Sequence, residues 1–106
     1  MNDLLEIHVD LAPNVASIRL CGELDISNVR LVDRVCAGIP ANISDIRFDL
    51  SALEYIDSSG LTLIAACARR SAPGRVTVVA PRASTQRLLD VTGLSAILNI
   101  VDTVPT

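Results

Sequence analysis

Residues 46–70 read IRFDLSALEYIDSSGLTLIAACARR, and the spacing of their apolar positions changes halfway along. Ile46, Phe48 and Leu50 alternate with Arg47, Asp49 and Ser51, the two-residue period of a strand with one buried face. Leu53, Tyr55 and Ile56 lead on to Asp57. From about Ser58 to Arg70 the pattern is helical and apolar nearly all round, so most of that helix is expected to be covered. Asp57 fits the N-cap, because its carboxylate can accept from N–H groups two or three residues on. Ser58 and Ser59 then stand at the helix entrance, where free N–H groups and the helix dipole favour an added phosphate.

The flanking sequence supplies the other elements. Leu5, Ile7, Val9 and Leu11 alternate with Glu6, His8 and Asp10, which predicts a half-buried strand. Ala12-Pro13-Asn14 is turn chemistry, and Val15 to Cys21 reads as the return arm of a hairpin. Gly22-Glu23-Leu24-Asp25 breaks that pattern as a strand-to-helix turn, with Asp25 or Ser27 as a cap. From Ser27 onward Val29, Val32, Val35, Cys36 and Ile39 recur at helical spacing until Pro40. Ala72-Pro73-Gly74 turns the chain into the β-branched run Val76 to Ala80, an interior strand ended by Pro81. Ala83 to Val91 reads as a helix stopped by Gly93, followed by a strand from about Ile97 to Val101 and a tail, Asp102 to Thr106. The order β-β-α-β-α-β-α-β predicts one α/β domain over residues 1–106. Its mixed sheet of four to five strands joins an N-terminal hairpin to parallel crossovers. Polar alternates on the first and third strands place the helices mainly on one face.

Half the residues are apolar and 20% are charged, a globular profile, and Phe48 and Tyr55 are the only aromatics, so the core is aliphatic. No run approaches the roughly 18 apolar residues of a membrane span. The N-terminus lacks the basic and apolar regions of a secretory signal, which predicts a cytoplasmic location without membrane insertion. The net charge is −3, and all 9 basic residues are scattered arginines, with only Arg69 and Arg70 adjacent. Nucleic-acid binding would need a basic stripe or stacking aromatics, and neither is present. The 3 cysteines, Cys21, Cys36 and Cys67, lack CxxC spacing and read as reduced, buried, small hydrophobes. A redox disulfide between two of them is the alternative. A metal site is less supported, because His8 stands far from any cysteine in sequence, and no cofactor is expected.

Catalysis is not expected either. A serine nucleophile needs a base, and His8 is the only histidine. Asp57-Ser58-Ser59-Gly60 is not a nucleophile elbow, and a chain without lysine has no phosphate-binding Gly-Lys loop. Capping alone would account for many such helix starts. Gly60 argues for more, since glycine at the third helical position costs up to about 1 kcal/mol and lets another surface approach the serines. Gly22-Glu23-Leu24-Asp25 can form an acidic lip beside the first helix. Loops after the second and third strands leave the same carboxyl edge of a parallel sheet, which would bring Asp25 near Ser58.

Taken together, Gly22-Glu23-Leu24-Asp25, Phe48-Asp49-Leu50-Ser51-Ala52-Leu53, Tyr55-Ile56-Asp57-Ser58-Ser59-Gly60-Leu61 and Thr92-Gly93-Leu94 resemble the STAS domain family, in its bacterial anti-sigma factor antagonist branch. The likeness runs roughly from Leu4 to Val101. It implies a STAS-like α/β domain that regulates transcription by partner switching. The unphosphorylated form binds an anti-sigma factor serine kinase and frees a sigma factor, phosphorylation releases the kinase, and a serine phosphatase resets the cycle. The phosphorylated residue maps to Ser58, with Ser59 as a secondary candidate. Glu23, Asp25, Asp57, Ser58, Ser59 and Gly60 make up the expected partner-binding set. Two other readings stand beside it: a STAS accessory subunit of a membrane lipid-transport ATPase that works without phosphorylation, and a thiol-switched regulator. Family members usually finish with an amphipathic helix after the last strand, where this sequence has Asp102-Thr103-Val104-Pro105-Thr106.

Overall fold

The change of period at Asp57 is where the sheet hands the chain to a helix. The computed structural model describes residues 4–71 and 75–102. Strands β1 (Leu5–Ala12) and β2 (Val15–Leu24) form an antiparallel hairpin, in register from Leu5 opposite Gly22 to Ala12 opposite Val15. Helix α1 (Val29–Ala37) leads to β3 (Asp45–Asp49), β4 (Leu53–Ile56) and helix α2 (Ser58–Arg70). Then come β5 (Val76–Val79), helix α3 (Ala83–Val91), a 3-10 turn (Leu94–Ala96) and β6 (Asn99–Val101). The sheet order is β1-β2-β3-β5-β6, with β4 paired to β2, and every pairing beyond the hairpin is parallel. The crossovers all step in one direction, so right-handed connections lay the helices on one face. Their inner residues Val32, Ile64 and Leu89 share a buried cluster with Ile18, Phe48 and Val78 of the strands.

The main path holds five strands, and β4 is the addition. After β3 the chain turns, with the Leu53 N–H donating to the Leu50 carbonyl (3.1 Å), and then resumes beside β2 beyond β3. Pairing with β4 also prolongs β2. Gly22 to Leu24 therefore belongs to the strand, with a shift in register between Gly22 and Glu23, rather than to the expected strand-to-helix turn. Gly22 has φ +105°, and a methyl group there would fall 1.8 Å from the Leu4 carbonyl oxygen, so the bulge needs glycine.

Other expectations shift at the margins. Leu5 and Ile7 are half-buried, but Val9 and Leu11 are 47% and 57% exposed. They sit on the edge strand, past the cover that buries their partners Ile18 and Ala16. The last strand starts at Asn99 because the 3-10 turn occupies the chain before it, and Gly93 stops α3 with φ +78°. Across the uncovered face, Arg47 pairs with Asp45 (2.8 Å), Thr77 donates to Asp45 (3.4 Å), and Asn99 donates to Thr77 (3.2 Å). Among the described residues no helix is long and apolar enough to cross a membrane. The turn at Ala72-Pro73-Gly74, the extreme N-terminus and the tail beyond Asp102 lie outside the described residues.

Candidate functional site

The strands β2 and β4 end side by side, and each gives way to a helix at the same edge of the sheet. The Asp57 N–H donates to the Leu24 carbonyl (3.2 Å), which ties the two exits together. Asp57 caps α2: its Oδ1 accepts from the N–H groups of Ser59 (2.9 Å) and Gly60 (3.2 Å) and from the Ser59 hydroxyl (2.5 Å). Its Oδ2 accepts from the Ile26 N–H (3.2 Å), across 31 residues of chain. These donors favour the charged form and hold the carboxyl below its ordinary value of 3.8, the Ser59 hydroxyl contributing most.

The cap separates the two serines chemically. Ser59 spends its hydroxyl on Asp57 and is partly buried. Ser58 is exposed, and its hydroxyl carries no hydrogen bond among the described residues; only its carbonyl is engaged, by the Thr62 hydroxyl (2.8 Å). A pocket of about 200 Å³ opens beside it, lined by Ser58, Thr62 and Arg69 of α2 and by Thr92 and Leu94 beyond α3.

The turn before α1 lies on the other side of the cap, reached by its Ile26 N–H. Asp25 accepts from the N–H (2.9 Å) and hydroxyl (2.5 Å) of Ser27, and its carbonyl receives the N–H groups of Asn28 and Val29. Asn28, only 7% exposed, is the organiser that sequence reasoning missed. Its Oδ1 accepts from the Asp25 N–H (3.0 Å), and its Nδ2 donates to the Glu23 carbonyl (2.9 Å). The available signal was an N-cap residue type directly before the first helical position, Val29. Ile26, 74% exposed, is joined to Asp57 through its backbone N–H, a tie that sequence reasoning also passed over.

Of the expected set, Asp25, Asp57, Ser58 and Ser59 thus gather at one edge, and Glu23 joins through its backbone carbonyl. Gly60 needs a correction. It is buried and faces inward, where a methyl group would lie 2.7 Å from Ile56 Cγ1 and 2.9 Å from Leu24 Cδ2. Its missing side chain serves the packing of α2 on the core rather than the approach of another surface.

The remaining reactive groups lie elsewhere. Among the described residues His8, exposed on β1, has only Glu6 for a partner (3.3 Å), and no cluster able to hold a metal occurs. All three cysteines are free. Cys67 is buried, whereas Cys21 and Cys36 are partly exposed, so burial is less complete than the sequence implied.

Comparison with known proteins agrees with this architecture. The family model described as Mlab, STAS domain matches residues 7–102. The chain belongs to the STAS domain family. An anti-sigma factor antagonist from Mycobacterium paratuberculosis superposes with a TM-score of 0.85 at 24% identity, covering 94% of this chain and 87% of that one. A candidate anti-sigma factor antagonist from Thermotoga maritima gives 0.78 at 28% identity, covering 92% and 87%. The Bacillus cell fate determinant SpoIIAA, in its phosphorylated form, gives 0.71 at 21% identity, covering 90% of both chains. No curated protein matches the chain at a significant level.

Proposed function

We propose that this STAS domain is an anti-sigma factor antagonist, a cytoplasmic binding regulator rather than an enzyme, switched by phosphorylation of Ser58. The unphosphorylated form binds a serine-kinase anti-sigma factor and frees a sigma factor; a serine phosphatase restores it. The observation that carries the reading is the division of labour at the α2 entrance, where Ser59 is locked into the cap and Ser58 is exposed with its hydroxyl unbonded among the described residues. Solved neighbours include anti-sigma factor antagonists, and the Bacillus neighbour exists in a phosphorylated form.

The sign of the switch follows from the charges. The N–H groups of Ser59 and Gly60 already face Asp57, so a phosphate on Ser58 adds a charge near −2 beside a carboxylate held ionised. A partner docking on this edge must desolvate both charges, and every 1.4 kcal/mol of that penalty weakens binding about tenfold. The test is incubation with the cognate kinase and ATP, followed by peptide mapping. Phosphate should appear on Ser58, be lost in Ser58→Ala without loss of binding, and be mimicked by a weakly binding Ser58→Asp. Absence of phosphate on Ser58, or full binding by Ser58→Asp, overturns the reading.

A second reading rests on the family model, whose description names Mlab rather than an anti-sigma factor antagonist. It is a STAS accessory subunit of a membrane lipid-transport ATPase, for which Ser58→Ala and Ser58→Asp would both leave function unchanged.

A further inference from the structure

Helices α1 and α2 both run from the carboxyl edge of the sheet to its opposite edge, so they lie side by side and parallel. Cys36 stands one residue before the end of α1, and Cys67 three residues before the end of α2. Both cysteines line one pocket where the two helices meet, close enough for each to shift the other's titration, Cys36 upward and Cys67 downward. An ion pair between Asp33 and Arg70 (3.5 Å) joins the same two helices nearby. A pocket of about 330 Å³, lined by Cys36, Cys67, Arg70 and Arg75, opens the pair to solvent. Cys67 is nine residues beyond Ser58, about 13 Å along the helix, so the pair is a place distinct from the phosphorylation site. Cys21 is excluded from it, because it alternates with the core residue Leu20 and faces the other side of the sheet.

We infer that Cys36 and Cys67 form a redox-active dithiol that hydrogen peroxide closes into an intramolecular disulfide, tying α1 to α2. The roles follow from the surroundings. The neighbouring Cys36 thiol, then Arg70 and Arg75, stabilise the thiolate form of Cys67 against its burial and lower its pKa. The neighbouring Cys67, burial and Asp33 raise that of Cys36. In the first step the Cys67 thiolate attacks one peroxide oxygen. An S–O bond forms, the O–O bond breaks, and the departing hydroxide takes up the proton Cys67 had released and leaves as water. Cys67 is oxidised to a sulfenic acid and the peroxide is reduced. In the second step the Cys36 sulfur attacks the Cys67 sulfur; an S–S bond forms, the S–O bond breaks, and hydroxide leaves with the Cys36 proton as water. Two thiols and one peroxide give one disulfide and two waters.

The test uses the whole chain, reduced, desalted and exposed to a slight excess of hydrogen peroxide, then mapped with trypsin under non-reducing conditions. Each cysteine falls in its own peptide: Cys21 in 20–30, Cys36 in 35–47 and Cys67 in 48–69. The expected product is peptide 35–47 linked to 48–69 in monomeric protein, reversed by dithiothreitol and retained in Cys21→Ser. With dimedone present, Cys36→Ser should be labelled at Cys67. Three free thiols after exposure, a bond that includes Cys21, a disulfide dimer, or a wild-type sulfenic acid that never closes would each overturn the inference. The wild-type map suffices even if a serine variant fails to fold.

Discussion

Replacing Gly60 by alanine sets two measurable effects against each other. Gly60 is the third residue of α2, and in an isolated helix the change to alanine would stabilise by about 1 kcal/mol. Here the new methyl group would lie 2.7 Å from Ile56 Cγ1 and 2.9 Å from Leu24 Cδ2. Carbon atoms pack comfortably at about 3.5–4.0 Å, so one of the two must move. Both residues are buried and Ile56 Cγ1 is not a chain end, which places the overpacking cost toward the upper part of the usual range of about 1–3 kcal/mol. The expected net loss is about 1–2 kcal/mol, a five- to thirtyfold rise in the unfolded fraction. Urea unfolding should show a midpoint lowered by roughly 0.5–1 M with an unchanged slope. In a Leu24→Ala background, where the leucine atoms are gone, the same substitution should cost at least about 1 kcal/mol less, and the cycle reports that coupling directly. A Gly60→Ala protein as stable as the parent would refute the inward-packing account.

Three further outcomes follow from named contacts. Asp57→Ala removes the α2 cap and should cost about 1 kcal/mol at neutral pH. Because the folded-state pKa of Asp57 lies below the ordinary 3.8, this contribution is complete above that value and fades as the pH falls through the folded-state pKa; urea midpoints of parent and variant should converge on acidification. Asn28→Ala leaves the Asp25 N–H and the Glu23 carbonyl without their partner and should cost about 1–3 kcal/mol, with partner binding weakened beyond what the remaining folded fraction explains in a titration. Phe48→Ala empties the middle of the sheet, where Phe48 lies between Ile18 and Val78, and should cost about 3–5 kcal/mol in calorimetry or urea unfolding.

Several parts of this protein were legible locally. The switch of period across Asp57, the capping aspartate and the glycine that stops α3 each depend on contacts within a few residues, so the chain states them outright. The alternating elements likewise imposed parallel crossovers with the helices on one face, since handed connections leave few other arrangements. Strand β4 was hidden because four residues after a break have no meaning until β2 offers them a pairing edge, and the same pairing turned Gly22 to Leu24 from a turn into strand. Val9 and Leu11 carry a buried-face pattern, yet an edge position leaves them exposed, since burial depends on what lies above a residue.

The sequence by itself determined the helix entrance that carries Ser58 and the acidic and hydroxyl residues around it. The folded structure decided which of them are available: Ser59 is consumed by Asp57 and Asn28 bonds the Asp25 turn, both within a few residues, while tertiary packing alone turned Gly60 into the core and brought the Ile26 N–H to Asp57. The tertiary structure alone also selected Cys36 and Cys67 from three cysteines. For Gly60 against Leu24 and for the cysteine pair the physical reason is the same: packing between residues more than 30 positions apart arises only when helices and strands meet, and residue types spaced along a chain do not record which neighbours will arrive.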